Sequence, residues 1–235
     1  MNTLDNLRRF YTPEIKGVRI PLGIQRPVVG AVSRERYGFR SCDVLLVTIG
    51  RLVARKAVGQ LIAMMGALQA ISARLLIVGT GPEENFLKEE TRNRHLEDHV
   101  FFMGHVDEAE KFHLLNMSDL YVSTSQHEGF GLVFLEAMAC GLPIVCYDHG
   151  GQTDFLRDGQ SGYVIKLNDL KAFEQSCQVL IEHPALRKSI GENNRQLVEE
   201  FYIDRCALRH EDIFREVRGM HARRTSREPS PPHTV

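Results

Sequence analysis

The sequence has no excess of charge, no long apolar run and no paired-cysteine motif, and each absence removes a class of function. Its 29 Lys and Arg against 30 Asp and Glu leave a net charge of −1. No whole-molecule field therefore draws it to nucleic acid or to an acidic membrane. No apolar stretch approaches the ~18 residues of a bilayer-spanning helix, and residues 1–10 lack the apolar core of a signal peptide. The expected location is the cytoplasm, with a peripheral membrane contact left open. The five cysteines (Cys42, Cys140, Cys146, Cys177 and Cys206) are odd in number and contain no Cys-x-x-Cys pair. They read as reduced thiols, not a disulfide framework. There is no Gly-Lys-Ser/Thr of a P-loop, and Gly79-Thr80-Gly81-Pro82 lacks the third glycine of the dinucleotide fingerprint. His95 and His99 stand four apart but lack a third ligand, so no metal site is expected.

What is present is an ordinary globular composition. The chain has 235 residues, 43% hydrophobic and 25% charged, enough for one large domain or two small ones and for a core without a disulfide or metal staple. From Asp43 onward, short apolar runs alternate with longer amphipathic ones. The runs at 44–49, 75–78, 100–103, 120–123, 144–147 and 163–167 are β-branched or aromatic and bounded by Gly or polar turns, as buried strands are. Between them, residues 56–71, 82–96, 108–117 and 170–181 have helical spacing, and 184–217 gives one or two more helices after the break at Pro184. The alternation predicts an α/β fold, a doubly wound, Rossmann-like parallel sheet with helices on both faces. It spans residues 41–218. Residues 219–235, rich in Arg and Pro with no apolar period, are expected to be disordered. Residues 1–40 give only an extended segment at Val18–Ile24.

The chemistry is concentrated in Ser125–Pro143, where a strand turns into a helix through Glu128-Gly129-Phe130-Gly131-Leu132. Gly129 and Gly131 let the backbone approach a ligand and take unusual dihedrals. The helix that follows opens with unpaired N–H groups at the positive end of its dipole, a seat for an anion such as a diphosphate. That helix is almost wholly apolar apart from Glu136, a charge that is costly without a partner. Glu136 lies five residues past Gly131, roughly 7 Å along the axis, where a ribose attached to the diphosphate would present its hydroxyls. Glu128 precedes the seat, where a sugar would lie. The competing readings are a salt bridge from Glu136 to a Lys or Arg elsewhere and a solvated Glu128. After the first strand, Arg51 and Lys56 fall at the C-terminal edge of the sheet, the edge at which open α/β sheets bind ligands. The competing reading there is a surface cluster with Arg55.

These residues resemble the C-terminal domain of the glycosyl transferases group 1 family, retaining enzymes of the GT-B fold. Glu128 to Glu136 is similar to that family's Glu-x7-Glu signature, and Gly50-Arg51 with Lys56 to its Gly-Arg-x4-Lys element. Gly79-x-Gly81-Pro82, Phe102-Met103-Gly104 and Gly150-Gly151 follow in the family's order. The resemblance implies the following roles. Arg51, Lys56 and the amides at Gly131 and Leu132 would hold a donor diphosphate. Glu128, Gly129 and Phe130 would contact the donor sugar, with Glu128 near the anomeric centre as nucleophile or orienter. Glu136 would bind the ribose, and His105 and Val106 would border the base. It implies a nucleotide-diphosphate sugar as donor, metal-independent chemistry without a cofactor, an acceptor sugar, lipid or protein, and no nucleic-acid partner. Two positions depart from the family: Ala57 stands where Gly is usual, and Asp154 where Glu is usual.

The resemblance also makes this chain the C-terminal half of a GT-B fold. The segment similar to the interdomain Ile-Pro-x-Gly-Ile lies at Ile20–Ile24, so residues 1–40 read as the remnant of an N-terminal acceptor domain, which would be a partner. Two further readings therefore stand beside a transferase. One is a nucleotide-sugar binding module or split subunit, inactive without that domain. The other is a GT-B-like epimerase or phosphorylase, against which Glu-Gly-Phe-Gly speaks.

Overall fold

The computed structural model describes residues 8–14, 17–18, 20–27, 33–68 and 72–225. Six strands form one sheet: β1 (Val44–Ile49), β2 (Ala73–Val78), β3 (Val100–Gly104), β4 (Leu120–Ser123), β5 (Ile144–Tyr147) and β6 (Gly162–Ile165). Every pairing is parallel, in the order β3-β2-β1-β4-β5-β6. From residue 33 to 225, among the described residues, the α-helices are α1 (Val58–Ala67), α2 (Glu84–Asn93), α3 (Glu108–Met117), α4 (Leu132–Ala139), α5 (Leu170–Glu182), α6 (Pro184–Leu197) and α7 (Ile203–Thr225). This is the doubly wound α/β fold expected from the alternation.

Strand periodicity divides the core into two layers. Leu45 and Val47 of β1 point to one face of the sheet, with Leu76, Val78 and Tyr121, and meet Leu114 and Leu115 of α3 and Phe134, Leu135 and Met138 of α4. Leu46 points the other way, with Leu75, Ile77 and Val122, and meets Leu61, Ile62 and Met65 of α1 and Phe173, Cys177 and Leu180 of α5. Successive side chains on a strand alternate faces, so a strand buried on both reads as a continuous apolar run.

Several boundaries differ from the sequence reading. The helical spacing from Lys56 is interrupted: Ala54–Lys56 form a 3-10 turn, and α1 starts only at Val58, after Ala57 in a left-handed conformation. Residues 69–71 lie outside the described residues. Helix α2 begins at Glu84, two residues past Pro82. Helix α7 runs through Thr225, past Gly219, where a disordered tail was expected to begin; residues 226–235 lie outside the described residues. Pro184 does separate two helices, sitting in the first turn of α6, where its missing N–H costs nothing. The segment at 20–24 is stitched to the far end of the chain. The Ile24 N–H donates to the Phe201 carbonyl at 2.9 Å, and the Ile203 N–H to the Ile24 carbonyl at 2.8 Å. Of the cysteines, Cys42 is exposed and the other four are buried and unpaired. Among the described residues no helix is long and apolar enough to cross a membrane.

Candidate functional site

The strand order places the site. The chain builds outward from β1 to β2 and β3, then returns to the other side of β1 with β4. The loops leaving β1 and β4 therefore emerge side by side and diverge towards opposite faces, which opens a crevice at the C-terminal edge. One loop carries Arg51 and Lys56, the other Glu128 to Gly131, so all of them share one edge of the sheet.

Hydrogen bonds fasten the two loops together. The Gln126 N–H donates to the Arg55 carbonyl at 2.7 Å, Arg55 Nη1 to the His127 carbonyl at 2.9 Å, and Thr124 Oγ1 to the Ala57 carbonyl at 2.9 Å. Arg55 is thus a structural tie. Lys56 Nζ donates to Glu128 Oε1. Both side chains are largely buried, Lys56 15% and Glu128 9% exposed, so the expected phosphate cation and the expected sugar carboxylate neutralise one another across the crevice. Glu128 is not a solvated loop residue.

The left-handed Ala57 (φ 48°, ψ 37°) shows what a glycine would do here. It halts the 3-10 turn and leaves Lys56 outside α1, free to reach across to Glu128. A Cβ in this region costs about 1–2 kcal/mol, partly offset by the lower unfolded-state entropy of alanine. Ala57→Gly is expected to stabilise the protein by about 0.5–1 kcal/mol, read as a rise in Tm of roughly 2–4 °C per kcal/mol. A fall in Tm would show that the turn is not strained.

Gly131 is the N-cap of α4, with φ 87°, and no side chain caps that terminus. The Phe134 N–H already donates to the Gly131 carbonyl, so helix geometry leaves the Leu132 and Val133 amides without an acceptor inside the helix. A Cβ on Gly131 would come within 2.6 Å of the Phe134 ring. Gly129 differs from what the sequence suggested. It has no left-handed φ, and a Cβ there would meet nothing within 4 Å. Its missing side chain leaves open space at the crevice. The Gly150-Gly151 loop backs this segment. Glu128 and Gly150 form a parallel bridge, the Gly151 N–H donates to the Glu128 carbonyl at 2.9 Å, and a Cβ on Gly151 would lie 1.9 Å from the Gly129 carbonyl oxygen. Phe130 is half-buried, its ring tilted at 52° to that of Phe155 with centroids 5.4 Å apart.

Glu136, on α4, has the salt-bridge partner weighed as its competing reading. Lys111 Nζ, on α3, donates to Glu136 Oε1 at 2.8 Å and to Glu108 Oε1 at 2.9 Å. Burial pulls the Lys111 pKa down, but its bonds to Glu136 and Glu108 outweigh this and hold it above the ordinary lysine value. Lys111 was not singled out in the sequence. It belongs to no motif, and only its position on the helix after β3, beside the Gly104–Val106 turn, could have suggested it. A cleft of about 490 Å³ brings together Arg51, Gly79, Thr80, His105, Val106 and Lys111. The base-side residues expected from sequence thus share a cavity with Arg51, which has no carboxylate partner among the described residues. Gly79 and Gly81 allow that cavity by close backbone approach: a Cβ on either would lie 2.0–2.2 Å from the carbonyl oxygens of Gly50 and Leu52.

His95 and His99 lie elsewhere. His99 leads into β3 at the opposite edge, its ring near the Ala73 carbonyl and Arg74, and His95 is left-handed and beyond the end of α2. Among the described residues no three His, Cys, Asp or Glu side chains converge as a metal site.

The sequence profile of the Glycosyl transferases group 1 family matches residues 31–197. The chain belongs to that family. It is 32% identical over 186 residues to N-acetyl-alpha-D-glucosaminyl L-malate synthase of Bacillus anthracis, covering 78% of this chain and 48% of that protein. It is 33% identical over 192 residues to phosphatidyl-myo-inositol mannosyltransferase of Mycobacterium leprae, covering 79% and 50%. The fold matches sucrose-phosphate synthase of Thermosynechococcus elongatus with a TM-score of 0.82 at 26% identity, over 92% of this chain and 56% of that one. It also matches an Anabaena protein solved with UDP and glucose, with a TM-score of 0.70 at 22% identity, over 78% and 50%. The Rossmann-like sheet is thus the C-terminal half of a GT-B fold, and the chain spans about half the length of the curated relatives it matches.

Proposed function

We propose that this group 1 glycosyltransferase domain binds a nucleotide-diphosphate sugar in the crevice between the β1 and β4 loops and transfers its glycosyl group with retained configuration. The observation that carries this reading is the convergence, at one switch point, of the uncapped α4 N-terminus, Arg51, Lys56 and two spaced carboxylates. The Leu132 and Val133 amides and the helix dipole are pre-aimed at an anion, Arg51 adds positive charge, and Lys56, paired with Glu128, keeps donors for a phosphate. Together they would stabilise the diphosphate as it leaves with its growing negative charge, the task a metal performs elsewhere. Glu128, with Gly129 and Phe130, takes the sugar face, Glu136 the ribose hydroxyls, and His105 and Val106 the base. Glu128 and Glu136 face different parts of one donor, unlike a hydrolase acid/base pair converging on one bond. The structure of a similar fold in complex with UDP and glucose supports this class of ligand.

A thermal-shift panel of UDP-, GDP- and ADP-sugars tests the proposal. A donor at a hundred times its Kd adds about 2.7 kcal/mol, so a true donor stands out from the others. Glu136→Ala is expected to weaken that donor about tenfold, the worth of a hydrogen bond to a charged group. A panel in which no nucleotide shifts Tm overturns the assignment. Retention is read from the anomeric configuration of the product by NMR, and metal independence from turnover unchanged by EDTA.

A second reading is a donor-binding module that turns over only with a companion domain. A similar fold solved as the GtfA/B complex, at TM-score 0.77 and 23% identity, favours it. Turnover with and without a supplied N-terminal domain separates the two.

A further inference from the structure

Lys111 occupies an unusual place in the crevice. Its ammonium has three donors, of which one goes to Glu136 Oε1 and one to Glu108 Oε1. Its side chain is 15% exposed, and Glu136 is equally sheltered, whereas Glu108 stands 74% exposed. An outer carboxylate thus tethers the lysine from the solvent side while the lysine holds an inner carboxylate. Glu136 Oε2 has no partner among the described residues. A carboxylate on an apolar helix rotates readily about its last torsion and is expensive to leave unpaired. One fixed oxygen removes both problems and leaves the other free as an acceptor.

Resting on the nucleotide-diphosphate reading above, we propose that Lys111 is a positioning residue that holds Glu136 for a ribose diol. Glu108 anchors Lys111, Lys111 fixes Oε1, and Oε2 accepts from the ribose hydroxyls. A lysine that lines the same cleft as Arg51 has an obvious alternative role as a direct phosphate ligand. The two roles differ in what they require of the ligand. A phosphate ligand acts on any nucleoside diphosphate, whereas a positioning residue acts only where ribose hydroxyls are present.

The experiment is a double-mutant cycle by calorimetry on the full chain, with UDP, GDP and ADP and their 2′,3′-dideoxy counterparts. Lys111→Met is expected to lose about tenfold in affinity for the ribonucleotide that binds and less than about twofold for its dideoxy form. Lys111→Arg, which keeps charge and donors, is expected to stay within about threefold of the parent. If Lys111→Met fails to fold, Lys111→Gln, whose side chain is one bond shorter and carries no charge, is expected to show the same ribose-dependent loss. Equal losses for the two nucleotide forms, no loss at all, or an arginine variant as weak as the methionine one would overturn the inference and leave the donor site standing. Absence of binding by the parent protein to any of the three ribonucleotides would overturn the proposed function and this inference with it.

Discussion

Lys56→Met is expected to lower stability by about 3 kcal/mol and to abolish tight donor binding, and these two effects have different causes. The stability loss arises because the Glu128 carboxylate, its side chain 9% exposed, is left in a sheltered site with its partner gone, and breaking such a pair costs about 3–5 kcal/mol. The lower end applies because the crevice admits water. In a domain of this size the loss reads as a fall in Tm of roughly 2–4 °C per kcal/mol. The binding loss arises because a cation beside the leaving diphosphate is removed. The double variant Lys56→Met/Glu128→Gln separates the effects. Both charges vanish together, so stability is expected to return to within about 1 kcal/mol of the parent, while affinity for the bare nucleoside diphosphate, which lacks the sugar assigned to Glu128, stays low. Differential scanning calorimetry and nucleotide titration on the three proteins check this. A double variant that regains full affinity would show that Lys56 serves the fold and not the ligand.

The second large effect contrasts two neighbouring glycines. Gly151→Ala is expected to cost about 2–3 kcal/mol, since a Cβ lies 1.9 Å from the Gly129 carbonyl oxygen and backbone must move to admit it. That movement displaces Glu128 and Gly129 together, because the Gly151 N–H holds the Glu128 carbonyl. Gly129→Ala is expected to leave stability within about 0.5 kcal/mol, as the methyl meets nothing in the protein. It nevertheless projects into the space assigned to the sugar and is expected to weaken a nucleotide sugar about tenfold, ~1.4 kcal/mol, relative to the bare nucleoside diphosphate. An unstable Gly129→Ala protein, or one that binds the nucleotide sugar normally, would remove Gly129 from the site.

Much of this was legible without coordinates. The β-branched runs around 44–49 and 120–123 and the Gly-x-Gly turn into an apolar helix are local patterns, and local geometry suffices to read them. Harder to read were features decided by what lies across the crevice. Ala57 looked like a mild departure from a family pattern, yet its left-handed conformation breaks a helical period that seemed to continue from Lys56. Gly129 and Gly131 looked equivalent. Only the placement of Phe134 shows that the fold requires Gly131, while a Cβ on Gly129 would meet open space. Helix α7 extends past Gly219 because a single glycine lowers helix propensity without forbidding the helix.

Local pattern alone fixes the layers and the uncapped, glycine-led helix start proposed as the anion seat. Strand and helix periods fix which residues are apolar together, and a glycine N-cap exposes the same amides wherever the helix lies. The partners of the charges were settled by tertiary structure alone. Lys56 meets Glu128 and Lys111 meets Glu136 because β4 returns beside β1, across chain separations of 72 and 25 residues. Coulombic pairing depends on distance in space and carries no periodic signature along the chain.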